Sequence, residues 1–201
     1  MASSSRFVRH VKWWFFVLPL MACVVLPAIP QRSLFEVSDV ESQSVARTLG
    51  DDRAAAAVDT TNAVFRSLFV DTGAVQATLA AGGDDELDAD GLHAFAQYWS
   101  KQFWMLVYRA VYRAVVMHTW LMGILLLCLA ATVDGTVRRK IRAAAAGFAS
   151  PLKFHLAVHA LLMIVGAAFV VMLLPVPLVA NCWTALAVVL PLLLWIANSS
   201  T

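Results

Sequence analysis

The chain has 201 residues, 61% of them hydrophobic and only 14% charged, with a mean hydropathy of +0.74. A water-soluble domain is about 45–50% apolar and about 25% charged, and a chain this short cannot hide so much apolar surface, which argues against a cytosolic enzyme. The net charge of +2 conceals a segregation of sign along the chain, and three cysteines (Cys23, Cys128 and Cys182) are too few, and odd in number, for a disulfide framework.

Residues 1–12 form a basic arm with Arg6, Arg9 and Lys12 and no acid. Residues 13–30 are expected to form a first transmembrane helix. The apolar run from Trp13 to Ile29, closed by Pro30, has 17 residues, the short end of what crosses a hydrocarbon core of about 30 Å. Pro19 and Pro27 inside it are tolerated where neighbours satisfy the carbonyls they free. No Ala-x-Ala site ends the run, and Met21 is bulky for the lipobox-like Leu20-Met21-Ala22-Cys23. A retained anchor is therefore expected over a cleaved signal or a lipid-modified Cys23.

Residues 31–102 are acidic, with twelve of the 13 acids of the chain against five bases. Apolar residues recur at helical spacing as Leu34, Val37, Val40 and Val45, and again as Val58, Val64, Phe65, Leu68 and Phe69. Asp51-Asp52 and Gly82-Gly83 punctuate the segment, with Asp51 a candidate N-cap. Two or three amphipathic helices are expected, their narrow apolar stripes resting on the membrane or on a partner. Glu86-Leu87-Asp88-Ala89-Asp90-Gly91 has the look of an opening calcium loop. The twelfth position is Gln97, which cannot supply the bidentate carboxylate, so an acidic turn before a helix is the better reading.

Residues 103–133 are expected to hold an interfacial approach and the second span. Aromatic residues from Phe95 to Trp120 crowd this stretch, as where a helix enters a headgroup layer. Tyr108-Arg109 and Tyr112-Arg113 repeat four residues apart, so both arginines share a helix face. They precede the uncharged run from Ala114 to Val133 and are expected to anchor it by snorkelling to the interface. Asp134-Gly135 is expected to end the span.

Residues 134–154 form a basic loop with Arg138, Arg139, Lys140, Arg142 and Lys153 against the lone Asp134. Spans over 155–174 and 178–197 follow, joined by Pro175-Val176-Pro177. Ala157, Ala160, Gly166, Ala167 and Ala168 on one, with Ala180, Ala185 and Ala187 on the other, favour a close antiparallel hairpin. Short basic segments are retained in the cytoplasm, which places both termini inside and the acidic region outside. The fold class expected is all-α, with four transmembrane helices and a helical extracytoplasmic region between the first two.

Candidate chemistry is sparse. His155 and His159 share a face at i, i+4, but Leu156 stands where a metalloprotease needs its glutamate. No carboxylate lies within the spans, where His118 is the only ionisable group of the second, so proton coupling has no relay. The basic cluster fits anionic lipid or topological anchoring better than sequence-specific nucleic acid. No metal, cofactor or catalytic set is expected.

The stretch Ala131-Thr132-Val133-Asp134-Gly135-Thr136-Val137-Arg138-Arg139-Lys140-Ile141-Arg142, followed by Phe154-His155-Leu156-Ala157, resembles the integrating conjugative element membrane proteins. These bacterial conjugation proteins also occur on conjugative plasmids, often encoded beside the coupling ATPase. In that family a span ends in Asp-Gly, a basic arm follows, and the next span opens with an aromatic-His-x-Ala sequence. The arm commonly continues with glycine, arginine and glutamate, where this chain has Ala143 to Ala146 and Phe148-Ala149. The resemblance implies a non-enzymatic inner-membrane subunit of a type IV secretion apparatus for DNA transfer, within a hetero-oligomer. It also implies a cytoplasmic docking face for the coupling ATPase or lipid, made of Asp134, Arg138, Arg139, Lys140, Arg142, Lys153 and His155. Two other classes stay open. An accessory subunit of a membrane enzyme would need a convergent polar site, for instance His118, Arg109 and Arg113 with outer carboxylates; a small transporter would need spans with a polar face.

Overall fold

The computed structural model describes residues 11–80 and 90–200, which are helical throughout their regular structure, with no strand among them. Among the described residues seven helices, with a single short turn of helix at Arg32–Leu34 between the first two, follow in order: α1 (Trp13–Ala28), α2 (Asp39–Leu49), α3 (Asp51–Phe65, prolonged by a wide turn over Arg66–Val70), α4 (Ala74–Ala80), α5 (Asp90–Ala144), α6 (Pro151–Leu173) and α7 (Asn181–Ser200). Three of them, α5, α6 and α7, are long and apolar enough to cross a membrane. Helix α1 is apolar but shorter, about 24 Å at 1.5 Å per residue. The basic arm before residue 11 and most of the calcium-like run at 86–91 lie outside the described residues.

Helix α2 starts where Ser38 accepts a hydrogen bond from the Glu41 amide (3.3 Å), satisfying one of the orphan donors of the first turn. It ends at Gly50, whose φ of +87° is open to glycine and strained for other residues. That same glycine, and not Asp51, caps α3; Asp51 sits in the first turn, where its charge suits the positive end of the helix.

The longest element differs most from expectation. Helix α5 has 55 residues, about 80 Å, and runs straight through Asp134-Gly135. A glycine inside a helix weakens it by only about 1 kcal/mol, and here tertiary packing outweighs that preference: Gly135 is buried against α7. The helix stops ten residues later. There Ala146 takes a φ of +51° and the Gly147 amide donates to the Arg142 carbonyl (2.9 Å), a Schellman closure. The basic residues 138–142 are therefore the last turns of a helix, facing the negative end of its dipole.

Helices α6 and α7 form an antiparallel pair, and α7 packs even more extensively along α5. The small residues act where the sequence places them, with one exchange of partner. A side chain at Gly166 would strike Trp14 of α1, whose Cβ lies 2.6 Å from where a Cβ would be, and Phe15 packs on Phe169 (ring centroids 5.2 Å apart). Gly166 thus seats α1. The two carbonyls at the proline-rich end of α1 are met from α5: Trp99 Nε1 donates to Val24 O and Tyr98 Oη to Ile29 O, both at 3.0 Å.

Helices α2 and α3 lean on the body of the protein itself. Val45 and Ala57 join Tyr112, Val116, Ala180 and Trp183 in one buried cluster. Much of the aromatic crowd on α5 is spent holding them: Phe65 meets Tyr108 (5.4 Å) and Trp104 (6.1 Å) edge-on, and Tyr108 Oη donates to Asn62 Oδ1 at 2.8 Å. In contrast, Met122, Leu126 and Leu129 on α5 and Phe16 and Leu20 on α1 are each more than 60% exposed. Apolar surface of that extent in one molecule marks contact with lipid or protein.

Candidate functional site

Two polar assemblies stand out, one at each end of the α5–α6–α7 body. At the basic end, α5 and α7 cross so closely that a Cβ on Gly135 would lie 2.8 Å from Asn198 Cβ and 3.2 Å from the Trp195 carbonyl. One residue earlier, the Asp134 carboxylate accepts a hydrogen bond from Trp195 Nε1 (2.5 Å). One turn later, the Arg138 guanidinium lies over the face of the same indole, 5.0 Å from its centroid, a favourable cation–π placement. The Asp-Gly pair is thus a docking point for α7 and aims the basic turns of α5. The Ser150 amide donates to the Ser200 carbonyl (2.9 Å), which pins the connection to α6 against the end of α7.

The expected docking residues separate into two sets around this crossing. Arg138, Arg142 and Lys153 line a cavity of about 750 Å³ between the three helices. Arg139, Lys140 and His155 are exposed and do not line it; the His155 ring meets Phe154 edge-on at 5.5 Å. Among the described residues, no three His, Cys, Asp or Glu side chains gather as a metal set would.

At the opposite end lies a cluster whose carboxylate, Glu41, sequence reasoning did not identify. Arg109 and Arg113 do share a face, as their spacing requires, but they do not snorkel outward. They are 2% and 1% exposed and both bind Glu41 of α2. Arg113 grips both carboxylate oxygens, with Nε to Oε1 at 2.7 Å and Nη2 to Oε2 at 2.9 Å; Arg109 Nη2 reaches Oε2 at 2.9 Å. The physical reason is that a buried charge must be paired and saturated with hydrogen bonds, and Glu41 is the acid within reach. Arg113 Nη1 also donates to the carbonyls of Val171 and Leu174 (both 2.8 Å) at the end of α6, where carbonyls run out of intrahelical partners; Val171 O accepts the Leu174 amide as well. Both guanidiniums further reach the Val176 carbonyl in the Pro-Val-Pro turn, and Arg109 Nη1 donates to Leu34 O at 2.5 Å. From α2, Ser44 Oγ accepts the Ala180 amide (2.9 Å).

Burial alone would push the Glu41 carboxyl upward, but the hydrogen bonds and positive charges of Arg113 and Arg109 outweigh it and hold the group below the usual carboxylate range. The convergence that an enzyme-accessory reading requires is met only in part, since His118 is exposed elsewhere on α5. Glu41 and the two arginines are almost wholly sealed and spend their polar atoms on one another and on backbone, Arg109 Nε excepted. Such a cluster fastens α2, α5 and the α6–α7 turn together. A signal for it exists in the sequence: Glu41 sits midway between Val37 and Val45 at i+4 spacing, a charge on the apolar stripe of α2.

Comparison with known proteins gives one family-model match, over residues 30–200, described as IncC plasmid conjugative DNA transfer protein DtrJ-like. No curated protein and no solved structure matches the chain. The matched region takes in the Glu41 cluster, the Gly135 crossing and the basic end alike. The expected kinship with conjugation proteins is borne out at that level. On this match the chain belongs to the DtrJ-like family of conjugative DNA transfer proteins.

Proposed function

We propose that this protein is a non-enzymatic, multi-pass inner-membrane subunit of a conjugative type IV secretion apparatus, one that seats the coupling ATPase through its basic end. In this reading α1, α5, α6 and α7 cross the bilayer, with α1 as a short span packed on Gly166. The acidic helices α2 and α3 lie outside, and both termini and the basic end lie in the cytoplasm. The sign of the short loops supports that orientation, and the exposed apolar faces of α1 and α5 support lipid contact.

The observation that carries the docking role is the Asp134–Trp195–Arg138 contact. It makes the basic turns a rigid extension of the membrane body, and a rigid charged surface loses less entropy on binding than a loop would. Arg139 and Lys140 are exposed and do not line the cavity, and we take them as the partner-facing part of that face. The partners implied are membrane lipids, the coupling ATPase and other secretion-system membrane subunits, in a hetero-oligomer.

The test is affinity purification of the full chain from detergent-solubilised donor membranes. The coupling ATPase is expected to co-purify with the unaltered chain and to fall at least tenfold with R139E/K140E at equal membrane abundance. Equal recovery with the charge-reversed chain, or no ATPase with either, overturns the docking role.

A further inference from the structure

The cavity at the basic end has a lining of two kinds, cationic and apolar. Arg138 and Arg142 from α5 and Lys153 from α6 give it three cations. The only acidic side chain anywhere in 103–200 is Asp134, already engaged by Trp195. Leu156 and Ala160, on the same face of α6 as Lys153, and Leu193 of α7 line the rest of it, and this apolar part is open to the outside of the bundle, since Leu156 is 68% exposed. The loop over the mouth carries Phe148, 95% exposed.

We infer that this cavity is a binding site for an anionic phospholipid, its headgroup phosphate held by Arg138, Arg142 and Lys153 and an acyl chain lying along Leu156, Ala160 and Leu193. Among the described residues the cavity is lined by three cations and no carboxylate, Asp134 being turned to Trp195, and such a lining calls for an anion. The apolar part of the lining calls for a tail on that anion, which a nucleic acid does not offer, and its opening toward the outside of the bundle suits an acyl chain. The volume of about 750 Å³ lies within the range of about 300–1,000 Å³ typical of small-molecule sites, and basic pockets between helices at the cytoplasmic face suit acidic headgroups. Phe148 is placed to enter the interfacial layer beside the bound lipid, where aromatic rings are favoured. The inference rests on the membrane seating proposed above and not on the ATPase docking. It divides the basic end into a lipid-facing set, Arg138, Arg142 and Lys153, and a partner-facing set, Arg139 and Lys140.

The experiment compares two variants that remove equal charge. The full chain, R138Q/R142Q and R139Q/K140Q are purified in detergent. Retained phosphatidylglycerol is counted by native mass spectrometry, and thermal melting is followed with added phosphatidylglycerol, phosphatidylethanolamine or inorganic phosphate. The unaltered chain and R139Q/K140Q are expected to retain phosphatidylglycerol and to be stabilised by it, while R138Q/R142Q retains at least tenfold less. Equal loss in both variants means diffuse charge and overturns the site. Equal stabilisation by phosphatidylethanolamine (an apolar groove only) or by phosphate alone (an anion site without a tail) overturns it too. Should R138Q/R142Q not fold by circular dichroism, K153Q replaces it: about threefold lower retention supports the site, and unchanged retention overturns it. Extraction of the chain from membranes by alkaline carbonate overturns the membrane reading and this inference with it, whereas a carbonate-resistant chain without phosphatidylglycerol preference overturns the lipid site alone.

Discussion

Glu41→Ala is expected to destabilise the protein by about 3–5 kcal/mol, the usual consequence of removing one partner from a buried ion pair and leaving the other charge uncompensated. Here two guanidiniums lose their counter-ion at once, although the carbonyls of Val171, Leu174 and Val176 still accept from them. The loss is expected as a lower midpoint of unfolding in detergent, with helices α2 and α3 becoming protease-sensitive first, because Glu41 and Ser44 tie α2 to α5 and to the α6–α7 turn. A triple change of Glu41, Arg109 and Arg113 to methionine is expected to recover most of the stability, since a buried ion cluster is often no better than apolar residues of similar volume.

Acid gives an independent readout of the same cluster. The folded-state pKa of Glu41 lies below its ordinary value, so its stabilising contribution is fully present above the unfolded value and lost as pH falls through the folded one. The unaltered chain is expected to lose stability on acidification below about pH 4.5, and the part of that loss due to Glu41 is expected to be missing in Glu41→Ala. A destabilisation under 1 kcal/mol, with an unchanged acid limb, would show the cluster to be incidental.

Gly135→Ala is the second large effect. The new Cβ meets Asn198 Cβ at 2.8 Å and backbone oxygen of Trp195 at 3.2 Å. Backbone cannot swing aside as a long side chain does, so α5 and α7 must part, and overpacking of this kind costs about 1–3 kcal/mol. The contrast is Gly123→Ala in the same helix, where nothing lies within 4 Å of the new Cβ. That change is expected to stabilise by up to about 1 kcal/mol through helix propensity alone. Opposite signs for the two glycines in thermal melting would establish the crossing; two changes of the same sign would refute it.

What the sequence could disclose follows from the range of the forces involved. Helices α6 and α7 were legible because their signals are local: long apolar runs and a Pro-Val-Pro break. The structure begins α6 at Pro151 and α7 at Asn181, within a few residues of the expected positions. Asp134-Gly135 looked like a stop by the same local logic, yet its meaning is set by Trp195 and Asn198, some sixty residues away, and no periodicity reports that. Arg109 and Arg113 show both sides of the matter. Their shared face follows from a spacing of four; the choice between turning outward to headgroups and inward to a carboxylate depends on Glu41, about seventy residues earlier. Arg138, Arg139, Lys140, Arg142 and Lys153 were legible as one basic patch, while their division around a cavity required the helix crossing to be known. Trp195, which carries no charge, gave no signal at all.

The most direct test concerns which side each charged end faces. In a chain whose three cysteines are replaced by serine, single cysteines are introduced as Thr60→Cys on α3 and Arg139→Cys at the basic end, both exposed positions, and intact cells with a permeabilised outer membrane are treated with a membrane-impermeant thiol reagent. The account predicts labelling at position 60 in intact cells and at 139 only after the inner membrane is opened. Labelling at 139 in intact cells with protection at 60, or equal labelling at both, would contradict it.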